Sequence, residues 1–104
     1  MKFGGTSVGT IESLRNVKAI VESCDEPVVV VVSALGGITD QLIATARLAA
    51  AGDIAHLESY ARIVERHRQV IDGIVPEAFK LEVLSIVNPL LEELGNIYRG
   101  VSLI

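Results

Sequence analysis

Val28 to Val32 are five β-branched residues in a row, entered from Pro27 and left into Ser33-Ala34-Leu35-Gly36-Gly37. Branching at Cβ restricts χ1 and suits the pleated backbone of a strand. A run without polar alternation has no solvent side. It therefore predicts a central strand covered on both faces, as in a parallel sheet flanked by helices.

The sequence on the N-terminal side supplies a partner and a crossover for that strand. Met1 to Phe3 is a short apolar start that runs into Gly4-Gly5-Thr6-Ser7, which predicts a brief strand ending in a small-residue loop. From Ile11 the apolar positions Leu14, Val17, Ile20 and Val21 follow helical spacing, and Thr10 is placed to cap the first turn. Asp25-Glu26-Pro27 stops this helix just after Cys24. Strand, helix, strand is the parallel crossover unit, expected to be right-handed.

The rest of the chain reads as helix. Thr39 can cap a second helix that runs to Gly52, with Leu42, Ile43, Ala46 and Ala50 on one face. Asp53 can cap a third with Ile54, Leu57, Ala61, Val64 and Ile71 inward. Pro76 suits the first turn of a fourth carrying Phe79, Val83, Ile86 and Leu90. Pro89 falls inside that fourth pattern, where a missing N–H and a ring clash cost about 3 kcal/mol, so a kink or break near Asn88 is expected. Gly95 and Gly100 then mark a frayed or turning end. His56 and His67 stand among Glu58, Glu65, Arg66 and Arg68 and read as solvated surface. The expected organisation is one piece: strand-helix-strand-helix over 1–52, then a helical hairpin over 53–104.

Composition narrows the partners. The net charge of −4 offers no basic footprint for a nucleic-acid backbone. The longest apolar run is far below the ~20 residues that span a bilayer, so no membrane partner is expected. A single cysteine, Cys24, cannot pair within the chain, which points to a reducing, cytoplasmic setting and to a small buried hydrophobe rather than a reactive thiol. One cysteine and two histidines do not assemble a metal site.

Chemistry is concentrated in two loops. In Lys2-Phe3-Gly4-Gly5-Thr6-Ser7, glycines at a strand end let backbone N–H groups approach phosphate oxygens, and Lys2 adds a compact positive charge. The order differs from a P-loop, where the lysine follows the glycines, and it fails the dinucleotide Gly-x-Gly-x-x-Gly pattern. The second loop, Ser33-Ala34-Leu35-Gly36-Gly37-Ile38-Thr39-Asp40, follows the valine strand and opens a helix, where anions are favoured. Taken singly, Gly4-Gly5 is an ordinary turn, Lys2 a strand-edge charge, and Thr39 a helix cap. Two such loops after neighbouring parallel strands would form one anion cradle.

Lys2-Phe-Gly-Gly-Thr-Ser-Val-Gly9 followed by Val-Val-Ser33-Ala and then Ile-Thr39-Asp40 resembles the opening of aspartate kinases of the amino acid kinase fold. Arg99-Gly100-Val101-Ser102-Leu103 is similar, more loosely, to bifunctional aspartate kinase/homoserine dehydrogenases. The resemblance implies a three-layer α/β architecture, a mostly parallel sheet with helices on both faces and a helix-rich second half. It implies ATP-dependent phosphorylation of the L-aspartate side-chain carboxylate to 4-phospho-L-aspartate, the first step towards lysine, threonine and methionine. Carried onto matching positions, Lys2 neutralises the transferred phosphoryl group, and Gly4 and Gly5 donate backbone hydrogen bonds to ATP phosphates. Ser33 lines the same phosphate path, Thr6, Ser33 and Thr39 serve the aspartate side, and Mg is bound through the phosphates alone.

The chemistry asks little more of the protein, because phosphoryl transfer is mainly positioning and electrostatics and aspartate's carboxylate is already an ionised nucleophile. The family's adenine-binding half, its later acidic and arginine contacts, its catalytic aspartate and its ACT domains have no counterpart here. The sequence therefore reads as an N-terminal fragment, inactive alone, with the Val28–Val32 edge open to pairing with another copy and homo-oligomers expected. Two rivals stand beside this reading: a glutamate-type kinase of the same fold, and a non-catalytic interaction module.

Overall fold

The computed structural model describes residues 1–4, 9–32 and 34–104. The elements run β1 (Lys2–Phe3), α1 (Ile11–Glu22), β2 (Val31–Val32), α2 (Ile38–Ala50), α3 (Ala55–Ile74) and α4 (Glu77–Ser102). The chain forms two compact units, Met1–Thr39 and Asp40–Ile104.

In the first unit β1 and β2 pair in parallel, Lys2 opposite Val31 and Phe3 opposite Val32. The ladder is extended upstream: the Met1 amino group donates to the Val29 carbonyl, and the Val31 N–H donates to the Met1 carbonyl at 2.6 Å. The helix between the strands starts where Thr10 and Ser13 cap each other reciprocally. Thr10 Oγ1 accepts from the Ser13 N–H at 3.1 Å and Ser13 Oγ accepts from the Thr10 N–H at 3.0 Å. This is a capping box with serine in the place usually held by Glu or Gln. Ser23 ends α1, as the stop before Pro27 requires. Cys24 is half-buried, its thiol 3.5 Å from the Ile20 carbonyl.

The valine strand departs from expectation. Only Val31 and Val32 are paired, and all five valines are exposed, Val29 at 78%. Burial on both faces needs a layer on either side. Helix α1, which lies wholly within this unit, has no fully buried residue, and the described residues leave both faces of the valine run exposed.

The second unit is the expected hairpin of α3 and α4, together with α2, but each helix is rotated from the face its apolar pattern suggested. In α2 the buried positions are Ile38, Thr45 and Ala49, while Ile43, Ala46 and Ala50 face solvent. Small side chains at the contact allow close approach. The Thr45 hydroxyl donates to the Gln41 carbonyl at 2.7 Å and shares a 2.5 Å hydrogen bond with Ser59 of α3. Gly52, at φ +69°, turns the chain between α2 and α3 in a conformation that favours glycine. Asp53 then caps α3, its carboxylate accepting from the Ala55 N–H at 2.9 Å.

Along α3 the buried residues are His56 and Ile63, whereas Ile54 and Leu57 are exposed. His56 is thus not solvated surface. Its Nδ1 lies 2.8 Å from the Asp53 carbonyl, which cannot donate, so Nδ1 carries the proton and the ring closes the first turn. His67 is half-buried and does the same to the Ile63 carbonyl at 2.7 Å.

Helix α4 runs on through Pro89 and past Gly95, while Gly100 stands in its last turn, where its carbonyl accepts from the Leu103 N–H. Pro89 is on the exposed side, where water can serve the carbonyl that its missing N–H leaves without a donor. The inward face is 80, 84, 87, 91, 94 and 98, with Leu91 and Tyr98 buried, and Phe79, Ile86 and Leu90 lie outside. Two tyrosines set this choice. Tyr60 donates to the Leu91 carbonyl at 2.6 Å and Tyr98 to the Leu42 carbonyl at 2.9 Å, with the rings edge to face at 6.3 Å. Near the hairpin turn, Lys80 bonds Asp72 at 2.9 Å and Glu77 at 3.0 Å, hydrogen bonds that raise its pKa.

Candidate phosphate loops at one sheet edge

The loops singled out in the sequence both leave the two-stranded sheet at its carboxyl edge. Phe3 is opposite Val32 in a parallel pair, so the chain departs β1 at Gly4 and departs β2 immediately after Val32, side by side. Parallel pairing makes this unavoidable, since both strands point the same way. Open α/β sheets bind ligands at that edge.

Lys2 lies on β1, exposed, with no ion-pair partner among the described residues. Gly4 follows it, also exposed. A Cβ placed on Gly4 would meet nothing within 4 Å, and its φ is not in the left-handed region, so neither space nor backbone strain among the described residues demands glycine there. Its lack of a side chain leaves open approach to the backbone, which suits a phosphate oxygen as a ligand. Gly37 differs: at φ +77° it holds a conformation that favours glycine, and it turns the second loop into α2.

Thr39 is the second residue of α2, exposed, rather than its cap; Gly37 makes the turn and α2 already begins at Ile38. A threonine in the first turn has its hydroxyl free of the capping role. Gly5, Thr6 and Ser33 lie outside the described residues. The second motif ends at Asp40. It stands in the first turn of α2, where a carboxylate favours the helix dipole and opposes an anion at the same terminus.

Among the described residues no group of three or more His, Cys, Asp or Glu side chains could hold a metal ion. No helix among them is long and apolar enough to cross a membrane. Three clefts, of about 390, 250 and 410 Å³, are lined by α2, α3 and α4, and none of their linings includes Lys2, Gly4 or Thr39.

The comparisons point the same way as the loops. The chain is 33% identical over 102 residues to bifunctional aspartokinase/homoserine dehydrogenase 1, chloroplastic, of Arabidopsis thaliana, covering 93% of this chain and 11% of that protein. It is 45% identical over 69 residues to an aspartokinase of Chlamydia trachomatis, covering 66% of this chain and 15% of the relative. With aspartokinase 2 of Bacillus subtilis the identity is 51% over 49 residues, 44% of this chain and 12% of the relative. The chain thus spans about a tenth of the length of the curated relatives it matches. No protein-family model matches it.

Proposed function

This chain is homologous to a short part of the aspartokinases and bifunctional aspartokinase/homoserine dehydrogenases, and on that premise we propose that it carries the phosphate loops of an aspartate kinase. In this reading its strands belong to the larger, mostly parallel sheet of a three-layer amino acid kinase fold. The reaction of the whole enzyme is transfer of the γ-phosphoryl group of ATP to the side-chain carboxylate of L-aspartate. The aspartate oxygen forms the new P–O bond as the bond to the ADP oxygen breaks. The product, 4-phospho-L-aspartate, is the first step towards lysine, threonine and methionine.

The observation that carries the reading is the parallel register of β1 and β2, which sends both small-residue loops off one edge. Lys2 places a positive charge beside the phosphoryl group in flight. Gly4 and Gly5 lend backbone N–H groups to the phosphate oxygens, and Ser33 lines the same path. Thr6 and Thr39, with Ser33, hold the aspartate. These are fixed dipoles and one cation aimed at charge that shifts during transfer, the usual largest contribution in such chemistry. Mg²⁺, held through the phosphates, supplies further neutralisation of the same charge.

The test is calorimetric titration of MgATP into the 104-residue chain and into Lys2→Ala. Weak binding that Lys2→Ala lowers by about tenfold is expected, the scale of one charge-assisted contact. Equal binding by both proteins would remove Lys2 from the phosphate path. Turnover of L-aspartate by the 104-residue chain alone is expected to be absent, because it spans only about a tenth of the length of its relatives.

A further inference from the structure

Helix α4 carries a second apolar stripe that the described residues leave largely exposed. Phe79, Ile86, Leu90 and Ile97 are spaced by seven, four and seven residues, so they line one side of the helix, and each leaves between 55% and 63% of its surface in solvent. This stripe lies about a quarter turn from the face that Leu91 and Tyr98 bury against α3. A helix with one apolar face against its neighbour and another in water is built for two partners.

The stripe is symmetric about Asn88. Phe79 and Ile97 lie equally far on either side of it, and so do Ile86 and Leu90. An antiparallel copy of the same helix therefore meets it in register, Phe79 over Ile97 and Ile86 over Leu90, each contact made twice, as a two-fold interface requires. Two such stripes face to face withdraw roughly 1,000 Å² from water, at the lower bound of a specific interface. We propose that α4 is a self-docking surface: two copies of this chain pair through their α4 helices, antiparallel, about a two-fold axis that crosses the stripe between Ile86 and Leu90, on the side of the helix opposite Asn88.

The charges at its border give the proposal a signature. Glu82 and Glu93 flank the stripe on the side away from α3. A two-fold axis lying in the interface keeps that border on one side of the pair, so Glu82 of one copy stands beside Glu93 of the second. Repulsion there holds the pair to modest affinity. Replacing one glutamate by lysine converts two repulsions into two attractions at once.

The experiment is sedimentation equilibrium of the chain over a hundredfold range of concentration, with helix content followed by circular dichroism. The wild-type protein is expected to pass from monomer to dimer, Glu82→Lys to do so at about tenfold lower concentration, and Ile86→Lys to stay monomeric with unchanged helicity. Val29→Lys, on the exposed strand, is expected to dimerise like the wild type. In a Cys24→Ser background, Phe79→Cys mixed with Ile97→Cys should form a disulfide that neither forms alone. A monomer at every concentration overturns the proposal, and so does an Ile86→Lys dimer, a Val29→Lys monomer, or Phe79→Cys linking to itself as readily as to Ile97→Cys. If Ile86→Lys loses helicity, the disulfide pairing and the Glu82→Lys shift decide the matter without it.

Discussion

The ring of Tyr60 lies so close over the backbone of Gly95 that a Cβ on that glycine would stand 2.8 Å from both Cζ and the hydroxyl oxygen. The approach lets the hydroxyl reach the Leu91 carbonyl one turn back, at 2.6 Å. Alanine in a helix interior is ordinarily better than glycine by about 1 kcal/mol. Here the ring must move and its hydrogen bond with it, and overpacking of this kind costs about 1–3 kcal/mol. Gly95→Ala is expected to lower stability in urea unfolding, against its helix propensity. Gly100, whose Cβ would meet nothing within 4 Å, serves as the control: Gly100→Ala should raise stability.

Tyr98 is 5% exposed and its hydroxyl holds the Leu42 carbonyl at 2.9 Å. Tyr98→Phe leaves that carbonyl without its donor and is expected to cost about 1 kcal/mol. Burial also raises the Tyr98 pKa, since the phenolate is the form that loses most by leaving water. The unfolded chain ionises this group near its ordinary pKa of about 10, the folded chain only above it, so the contribution is whole below about pH 10 and is lost as pH climbs towards the raised folded value. Stability measured from pH 8 to 11 should fall less steeply in Tyr98→Phe than in the wild type.

Pro89 sits in the middle of α4 without ending it. Its exposed position spares the neighbouring core, yet the lost hydrogen bond and the ring remain. Pro89→Ala restores the N–H and is expected to stabilise the chain by about 1–3 kcal/mol, read as a higher melting temperature. No gain would mean that α4 already accommodates the proline without strain.

Gly4 is not required by the described fold, for the space around it is open and its backbone is unstrained. Gly4→Ala is therefore expected to leave thermal stability within about 0.5 kcal/mol of wild type, as for other surface changes. Under the phosphate-loop reading the same change weakens MgATP binding, because the methyl group stands where an oxygen approaches. Loss of stability with unchanged binding would make Gly4 an ordinary turn residue.

Much of this chain is legible locally. Thr10 and Asp53 stand at the starts of helices and each caps as its side chain allows, because a cap is satisfied within three residues of itself. The end of the valine run, Val31 and Val32, pairs in parallel with β1, as a strand-helix-strand order requires. The small-residue loops were recognisable because a residue pattern, not a contact, identifies them.

The helix faces were decided by tertiary contact alone. On α4 the more apolar stripe, Phe79 to Leu90, is the exposed one, and the buried face contains Lys80, Gly95 and Tyr98. Periodicity cannot choose between two apolar stripes a quarter turn apart, because both have the same spacing. The choice fell to Tyr60 and Tyr98, whose hydroxyls need backbone carbonyls on other helices, and to the gap at Gly95 that the Tyr60 ring occupies. His56, by contrast, is buried with a local partner, its ring nitrogen lying against the Asp53 carbonyl three residues back. Spacing and side-chain chemistry along the chain determined which segments are helix or strand, though α2 begins one residue before Thr39 and only Val31 and Val32 of the valine run pair. Which side of each helix is inside depended on hydrogen-bond partners that only the folded neighbours provide.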